Sequence, residues 1–196
     1  MDNQLDFEQK TDAELIELVL VDQDNFLYVV RRYEKKLFSY IRRISNIPTE
    51  DIDDLLQNIF IKVYLNLNDY NKDLKFSSWI YRIAHNEVID NYRKLKARPQ
   101  TSELDIDSDH IKELTDDLDL ITEIDNKGLR EKINQAINNL DIKLREIIVF
   151  KFIEEKDYNE ISDIIKKPKG TVASRMNKAK KELKKELIKI LDIYEE

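Results

Sequence analysis

Only two glycines and three prolines occur among the 196 residues of this chain. These residues normally make up ~7% and ~5% of a protein, and they build the turns of β-sandwiches, β-barrels and glycine-rich nucleotide loops. A chain so poor in turn formers is therefore predicted to be all-α. Hydrophobic residues make up 41% of the sequence, which is enough to fill small helical cores.

Several classes of protein are disfavoured by what the sequence lacks. It has no apolar run of 18 residues, so no membrane insertion is expected. The opening MDNQLDFEQK has neither the basic nor the apolar region of a signal peptide. The absence of cysteine excludes disulfides, thiolate metal ligands and a cysteine nucleophile, and it fits a cytoplasmic protein.

The net charge of −7 is unevenly distributed along the chain. Residues 1–98 carry a net charge of −2, residues 99–127 carry −8, and residues 128–196 carry +3. The last third is therefore basic although the whole chain is acidic. A basic patch is typical of a nucleic-acid surface, while a solvated helix face is the plainer alternative.

Apolar residues recur at three- and four-residue steps in several segments, which predicts amphipathic helices. One or two helices are expected over 12–44, one from about 49 to 67, and one from about 77 to 98. Helices of a second block follow after Gly128, one of them carrying Leu144, Ile147, Ile148 and Phe152. The predicted N-cap residues are Thr49, Ser77 or Ser78, Asp157 and Thr171.

The segment between the two helical blocks breaks this periodicity and is strongly acidic. Such a segment cannot form a core of its own. We therefore predict two small helical domains, 1–98 and 128–196, joined by a flexible acidic linker over 99–127.

Residues 157–187 have the layout of a helix-turn-helix: a short helix, a tight connector and a longer amphipathic helix. If Val172, Met176, Ala179 and Leu183 face the core, hydroxyl and cationic side chains face outward, where a recognition helix meets bases and phosphates. These outward residues are Ser174, Arg175, Lys178 and Lys181. Backbone amides at Thr171 would also favour a phosphate. An ordinary helical hairpin with a lysine-rich face remains the alternative.

Aromatic and basic residues alternate between Tyr64 and Arg98. Aromatic faces capture unstacked bases, and cations hold the nucleic-acid backbone. The candidates in this region are Tyr70, Lys75, Phe76, Trp79 and Tyr81. The alternative is that the rings fill the core of a helical domain, and one ring can serve both purposes.

Two runs of sequence resemble a known family, the extracytoplasmic-function (group IV) sigma factors of the sigma-70 family. The first run resembles region 2 of that family through Asp53, Asp54, Leu55, Gln57, Phe60, Phe76, Trp79, Ile80, Ile83, Ala84, Asn86 and Asp90. The second resembles region 4 through Tyr158, Glu160, Ile161, Gly170, Thr171, Val172, Ser174 and Arg175. The resemblance covers residues 12–98 and 128–190.

This resemblance implies a non-enzymatic transcription initiation factor without a cofactor, which binds core RNA polymerase and promoter DNA. It implies polymerase binding by Asp53, Asp54, Leu55, Gln57 and Asn58. It implies opening of the −10 element and capture of a base by Tyr70, Trp79, Tyr81 and Asn86. It implies reading of the −35 element by Ala173, Ser174, Arg175, Asn177 and Lys178. Control by an anti-sigma factor is a further implication.

The connector before the last helix departs from the family pattern. The family usually has Leu-Gly-Ile-Pro there, whereas this chain has Ile165, Lys166, Lys167 and Pro168 and so lacks the glycine. Ala173 stands where a lysine or arginine is common. Base specificity therefore cannot be transferred from the family.

Two other functions compete with this one for a helical chain of this length. An enzyme with a carboxylate metal bundle would need Glu-x-x-His pairs, and neither His85 nor His110 has one. No catalytic or metal-binding residue is therefore predicted. The second rival is a helix-turn-helix regulator that acts without polymerase, which would have no need of an aromatic single-strand patch around Trp79.

Overall fold

The computed structural model of the protein describes residues 7, 9–45, 47–97 and 127–191. Across these residues the chain forms eight α-helices and no strands, which confirms the all-α prediction. The helices fall into two compact units, one built on the helices up to Arg93 together with Asp163–Lys166 and the other on the remaining helical residues from 127 onward. The predicted acidic linker lies outside the described residues except for Lys127, where a helix begins.

The first unit consists of four helices. They are α1 (Asp12–Val21), α2 (Phe26–Ile44), α3 (Thr49–Leu65) and α4 (Phe76–Ala97). A 3-10 turn over Gln23–Asn25 joins α1 to α2, and another over Leu67–Asp69 lies in the connector between α3 and α4. The region predicted as one or two helices therefore forms two.

The first helix begins with a reciprocal capping box. The Thr11 hydroxyl accepts a hydrogen bond from the Glu14 amide, and the Glu14 carboxylate accepts one from the Thr11 amide at 2.7 Å. Hydrogen bonds from the Thr11 side chain and backbone lower the pKa of Glu14. This pair fixes where α1 starts.

Two predicted N-caps of the first unit are displaced. Pro48 occupies the cap position of α3, and its carbonyl accepts from the amides of Asp51 and Ile52, so Thr49 is the first helical residue. Similarly, α4 begins at Phe76, which places Ser77 and Ser78 inside its first turn. Hydroxyl residues indicate roughly where a helix begins. They do not fix its first residue, which depends on which backbone carbonyl accepts the first hydrogen bonds.

The core of the first unit follows the predicted apolar stripes. The predicted α3 stripe of Leu55, Ile59, Val63 and Leu67 is buried, as are Ile80, Ala84 and Val88 on α4. The side chain of Leu95 lies outside the described residues. On α2 the buried positions are Val29, Tyr33, Leu37, Tyr40, Ile41 and Ile44. Burial of each such large side chain stabilises the fold by ~1.5–3 kcal/mol.

The second unit also has four helices. They are α5 (Lys127–Asn138), α6 (Ile142–Ile148), α7 (Tyr158–Ile165) and α8 (Lys169–Leu191). Helices α5 and α6 both pack against α8. The Arg145 guanidinium of α6 is buried and donates to the carbonyls of Asn138 and Leu140, which ties α6 to the end of α5.

Phe152 does not share the buried face of Leu144, Ile147 and Ile148, with which it was grouped in one predicted helix. Helix α6 widens into a π-helical turn over Val149–Ile153, which changes the angular step between residues. The register predicted from Leu144, Ile147 and Ile148 is therefore lost, and Phe152 is 48% exposed. The Lys180 ammonium lies 5.8 Å from the centre of its ring.

Candidate nucleic-acid interface

Four aromatic rings of the first unit form a continuous cluster where the connector meets α4. The Tyr70 ring centre lies 5.4 Å from those of Phe76 and Trp79, and the Phe76 centre lies 5.6 Å from that of Tyr33. Phe76 and Trp79 are 5.6 Å apart. Such separations and tilted arrangements are typical of favourable aromatic packing.

The structure favours the core interpretation for three of the predicted base-contacting rings. Phe76, Trp79 and Tyr81 are all buried, and Tyr81 packs edge-on against Tyr40 of α2 at 5.3 Å. The connector folds back over the first turn of α4, where Tyr70 packs against both Phe76 and Trp79. A base could not stack on these rings without displacing that packing.

The remaining predicted residues of this region reach solvent. Lys75 and Asn86 are exposed, and Tyr70 is half-buried, with its hydroxyl donating to the Leu74 carbonyl. The spacing of two helical turns between Trp79 and Asn86 predicts that both lie on one side of α4. Only Asn86 is available, since it lies beyond the part of α4 that Tyr70 covers.

A polar face on α3 lies opposite its buried stripe. Asp53, Asp54, Gln57 and Asn58 are exposed, whereas Leu55 points into the core. The Asn58 amide donates to the Asp54 carbonyl one turn earlier at 2.9 Å. Further along the helix, Lys62 forms an ion pair with Glu87 of α4. The four exposed side chains form one continuous strip that a partner could contact.

The second unit contains the predicted helix-turn-helix, formed by α7 and α8. Asp157 caps α7 as predicted: its carboxylate accepts from the amides of Asn159 and Glu160, and Glu160 accepts from the Asp157 amide. In the turn, the Ser162 hydroxyl donates to the Lys167 carbonyl at 2.6 Å. Lys166 adopts the left-handed conformation with φ of 51°.

Thr171 is not the N-cap of the last helix. Helix α8 begins at Lys169, and the Thr171 and Val172 amides donate to the Pro168 carbonyl at 2.8 and 3.1 Å. The Thr171 amide is therefore already bonded within the helix. It does not offer a phosphate site, which corrects the prediction made from the sequence.

The exposed face of α8 carries most of the predicted reading residues. Val172, Met176 and Ala179 are buried, as predicted. Ser174, Asn177, Lys178 and Lys181 are exposed, while Thr171 and Ala173 are half-buried. The Ser174 hydroxyl donates to the Thr171 carbonyl at 3.0 Å. This face combines amide, hydroxyl and ammonium groups, which together can read base edges and hold phosphates.

Arg175 does not point freely outward with Lys178, contrary to the prediction. Its guanidinium lies 3.5 Å from the Glu146 carboxylate of α6, and the Glu146 side chain is only 2% exposed. A carboxylate buried that deeply is costly unless it is paired with a cation. Pairing with Glu146 therefore holds Arg175 against α6. Sequence reasoning missed Glu146, although a glutamate flanked by Leu144, Ile147 and Ile148 was a visible signal of a paired buried charge.

Neither a metal centre nor a membrane span is found in the part of the chain that the structure describes. Within it, no three His, Cys, Asp or Glu side chains are grouped to hold a metal ion. In the same ranges, no helix is long and apolar enough to cross a bilayer. His110 lies outside the described residues.

Both units match known families in sequence. Residues 29–98 match Sigma-70 region 2, and residues 130–183 match Sigma-70, region 4. The chain is 33% identical over 174 residues to the ECF RNA polymerase sigma factor SigW of Bacillus subtilis, covering 85% of this chain and 90% of that one. It is 33% identical over 181 residues to the ECF RNA polymerase sigma-E factor of Escherichia coli, covering 88% and 92%.

Solved structures share the fold. CnrH, solved in complex with the cytosolic domain of CnrY, aligns with a TM-score of 0.64 and 24% identity over 88% of this chain and 94% of that one. The sigma factor RpoE of Bartonella quintana, solved with the anti-sigma factor NepR, aligns with a TM-score of 0.58 and 16% identity, covering 87% and 99%.

Proposed function

Because the chain belongs to the sigma-70 family, as an extracytoplasmic-function sigma factor of RNA polymerase, we propose how its surfaces divide the work of promoter recognition. The first unit binds core polymerase and holds the opened −10 element. The second unit reads the −35 element. The protein acts in the cytoplasm as an initiation factor and catalyses no reaction itself.

The domain boundaries follow from this assignment. Residues 1–98 form region 2 and residues 128–196 form region 4, with residues 99–127 as the linker. The family matches over 29–98 and 130–183 support this division. The linker's charge of −8 suits a segment that lies in a cleft built to hold nucleic acid.

The polymerase-binding surface is the exposed strip on α3. Asp53, Asp54, Gln57 and Asn58 are free of the core and present two carboxylates and two amides to a basic partner. Leu55 has a different task from the one the family resemblance implied, because its burial makes it a support of the helix and not a contact.

The strongest support for a DNA-binding role comes from the exposed face of α8. Ser174, Asn177, Lys178 and Lys181 emerge from a helix whose opposite side is buried. A helix that follows such a turn fits the major groove with its first turns nearest the bases. Ala173 offers a methyl group for contact with thymine. Arg175 holds α8 in place through Glu146.

The −10 surface is the connector together with the next exposed turn of α4. Tyr70 supplies a partly open ring, Lys75 supplies a cation, and Asn86 supplies an amide for a base edge. The buried rings of Phe76, Trp79 and Tyr81 support this surface from within.

Regulation by an anti-sigma factor is a further part of the proposal. The RpoE relative was solved with the anti-sigma factor NepR, and CnrH with the cytosolic domain of CnrY. We expect a protein of this kind to bind the present chain and compete with polymerase.

Run-off transcription with purified core polymerase and genomic DNA of the source bacterium tests the proposed function. The chain should produce transcripts whose start sites share two upstream sequence elements, and Asp54→Arg should reduce all of them together. A helix-turn-helix regulator acting alone would instead bind DNA without polymerase-dependent transcripts, and that outcome would contradict the proposal.

A further inference from the structure

Helix α1 is linked to the core of the first unit by a polar cluster. The Tyr33 hydroxyl of α2 donates to one Asp12 oxygen at 2.5 Å, and the Arg32 guanidinium donates to the other at 2.9 Å. Arg32 also donates to the Phe7 carbonyl at 2.7 Å. Both acceptor oxygens of Asp12 are therefore directed at α2.

The same Tyr33 side chain touches the aromatic cluster through its ring. Its ring lies edge-on to Phe76 at 5.6 Å, and Phe76 in turn contacts Tyr70 at 5.4 Å. A continuous path of contacts thus runs from Asp12 through Tyr33 and Phe76 to Tyr70. Tyr70 is the half-exposed ring of the connector that the proposed function assigns to the −10 element.

The charge of Asp12 also affects the phenol at the far end of this path. Burial raises the pKa of Tyr70, and the negative charge of Asp12 raises it further. The same two causes, in the same order, raise the pKa of Tyr33. The negative charge of Asp12 therefore influences both phenols.

A second contact joins α1 to the connector. Lys72 forms an ion pair with Glu17 of α1 at 3.3 Å, with both side chains about two-thirds exposed. An exposed pair of this kind contributes little because solvent screens it. The buried path through Tyr33 is therefore the stronger of the two links between α1 and the connector.

We propose that Asp12 is a positioning residue for promoter opening, which holds Tyr70 in place through Tyr33 and Phe76. This inference rests on the proposed −10 role of the connector. Base capture requires a ring already placed for stacking, because ordering it during capture would cost side-chain entropy. Asp12 and Tyr33 touch no DNA in this role and act only through the cluster.

The test compares two identical substitutions on one helix. Tyr33→Phe removes the hydroxyl that reaches Asp12 and keeps the ring against Phe76. Tyr40→Phe, seven residues later on α2, removes a hydroxyl from a ring that packs on Tyr81 instead. The free energy of unfolding is measured for both variants, and a difference in opening that does not follow stability isolates the path to Tyr70.

Opening is measured with the full chain and core polymerase, from the rate at which thymines near −10 become reactive to permanganate. Tyr33→Phe should slow opening of duplex promoter ~10-fold relative to Tyr40→Phe, since a hydrogen bond to a charged acceptor is worth about one tenfold step. Binding to core polymerase and transcription from a pre-melted promoter should not change. Asp12→Asn, which keeps an oxygen acceptor for Tyr33, should open faster than Asp12→Ala.

The single tryptophan, Trp79, gives a readout that needs no DNA. Because its ring contacts Tyr70 and Phe76, quenching by acrylamide should increase in Tyr33→Phe and not in Tyr40→Phe. Equal opening rates and equal quenching in the two variants would overturn the positioning role and leave the proposed function standing. Failure of the parent protein to open any duplex promoter would overturn the proposed function, and this inference with it.

Discussion

Among the residues that the structure describes, two that are not glycine have a left-handed backbone, Glu155 and Lys166, each with φ of 51°. Lys166 lies in the turn between α7 and α8, within the connector where family members usually have a glycine. The departure noted in the sequence therefore has a structural cost, because a side chain disfavours this conformation by ~1–2 kcal/mol. Hydrogen bonding in the turn, such as that of Ser162 with the Lys167 carbonyl, offsets it.

Lys166→Gly should stabilise the protein at the turn between α7 and α8. Relief of the left-handed conformation outweighs the greater entropy of glycine in the unfolded chain, leaving a gain of ~1 kcal/mol in the free energy of unfolding. Denaturant unfolding of the full chain measures it. Lys167→Gly is the matched control: Lys167 has no positive φ, so this change should be destabilising. A gain from both glycines, or from neither, would contradict the assignment of strain to Lys166.

Lys178 lies on the exposed face of α8, so its substitution can distinguish a specific DNA contact from the loss of one positive charge anywhere on the helix. Lys178→Ala should weaken −35 binding by ~1–3 kcal/mol if the side chain reads a base, or lower the salt dependence by about one charge if it contacts phosphate. Lys185→Ala removes the same charge from an exposed position two turns further along α8. Fluorescence-anisotropy titrations at several salt concentrations should distinguish the two variants, and identical curves would argue against α8 as the reader.

At the scale of elements, hydrophobic periodicity predicted the helices and their buried faces well, because a 3.6-residue repeat reports directly which side meets the core. Periodicity did not predict the first residue of three helices or the π-helical turn, because neither depends on the spacing of apolar residues. The starts of α3, α4 and α8 shifted by one to three residues because backbone carbonyls, and not side-chain hydroxyls, accept the first hydrogen bonds. The π-helical turn places Phe152 at the surface, and the spacing of apolar residues does not predict such a change of register.

Hydrophobic periodicity also predicted part of the candidate site. Exposed polar residues on α3 and α8 could be assigned from the opposite apolar stripe alone. Burial of Trp79 could not, because it depends on the connector folding back over α4. The pairing of Arg175 with Glu146 depends on the approach of two helices, which a single sequence does not specify.

The exposed strip on α3 leads to a prediction about polymerase binding. Asp54→Arg should leave the fold unchanged, because the side chain is outside the core, and should weaken binding to core polymerase by about 2–4 kcal/mol through like-charge repulsion. Glu34→Arg makes the same charge reversal on an exposed position of α2 and should bind normally. Similar affinities for both variants in a binding titration would remove the strip from the interface.

At the scale of the whole molecule, the proposed functions lie in different segments of the chain, and these segments differ in net charge. The second unit carries the basic recognition helix, the middle segment carries most of the acidity, and the first unit carries the aromatic cluster. Such a division lets −35 binding, polymerase binding and strand opening be lost one at a time. That separability is the central claim of the proposed function.

Permanganate reactivity of unpaired thymines around −10 tests this claim most directly, using core polymerase and the double variant Tyr70→Ala/Asn86→Ala. Both residues are at least partly exposed, so the variant should fold, bind polymerase and contact −35 normally. It should fail to open a duplex promoter, and a pre-melted bubble should restore part of its activity because the unpairing cost has already been met. If the double variant opens duplex DNA as well as the parent does, the first unit does not capture the −10 strand through these groups, and the proposed division of functions along the chain is wrong.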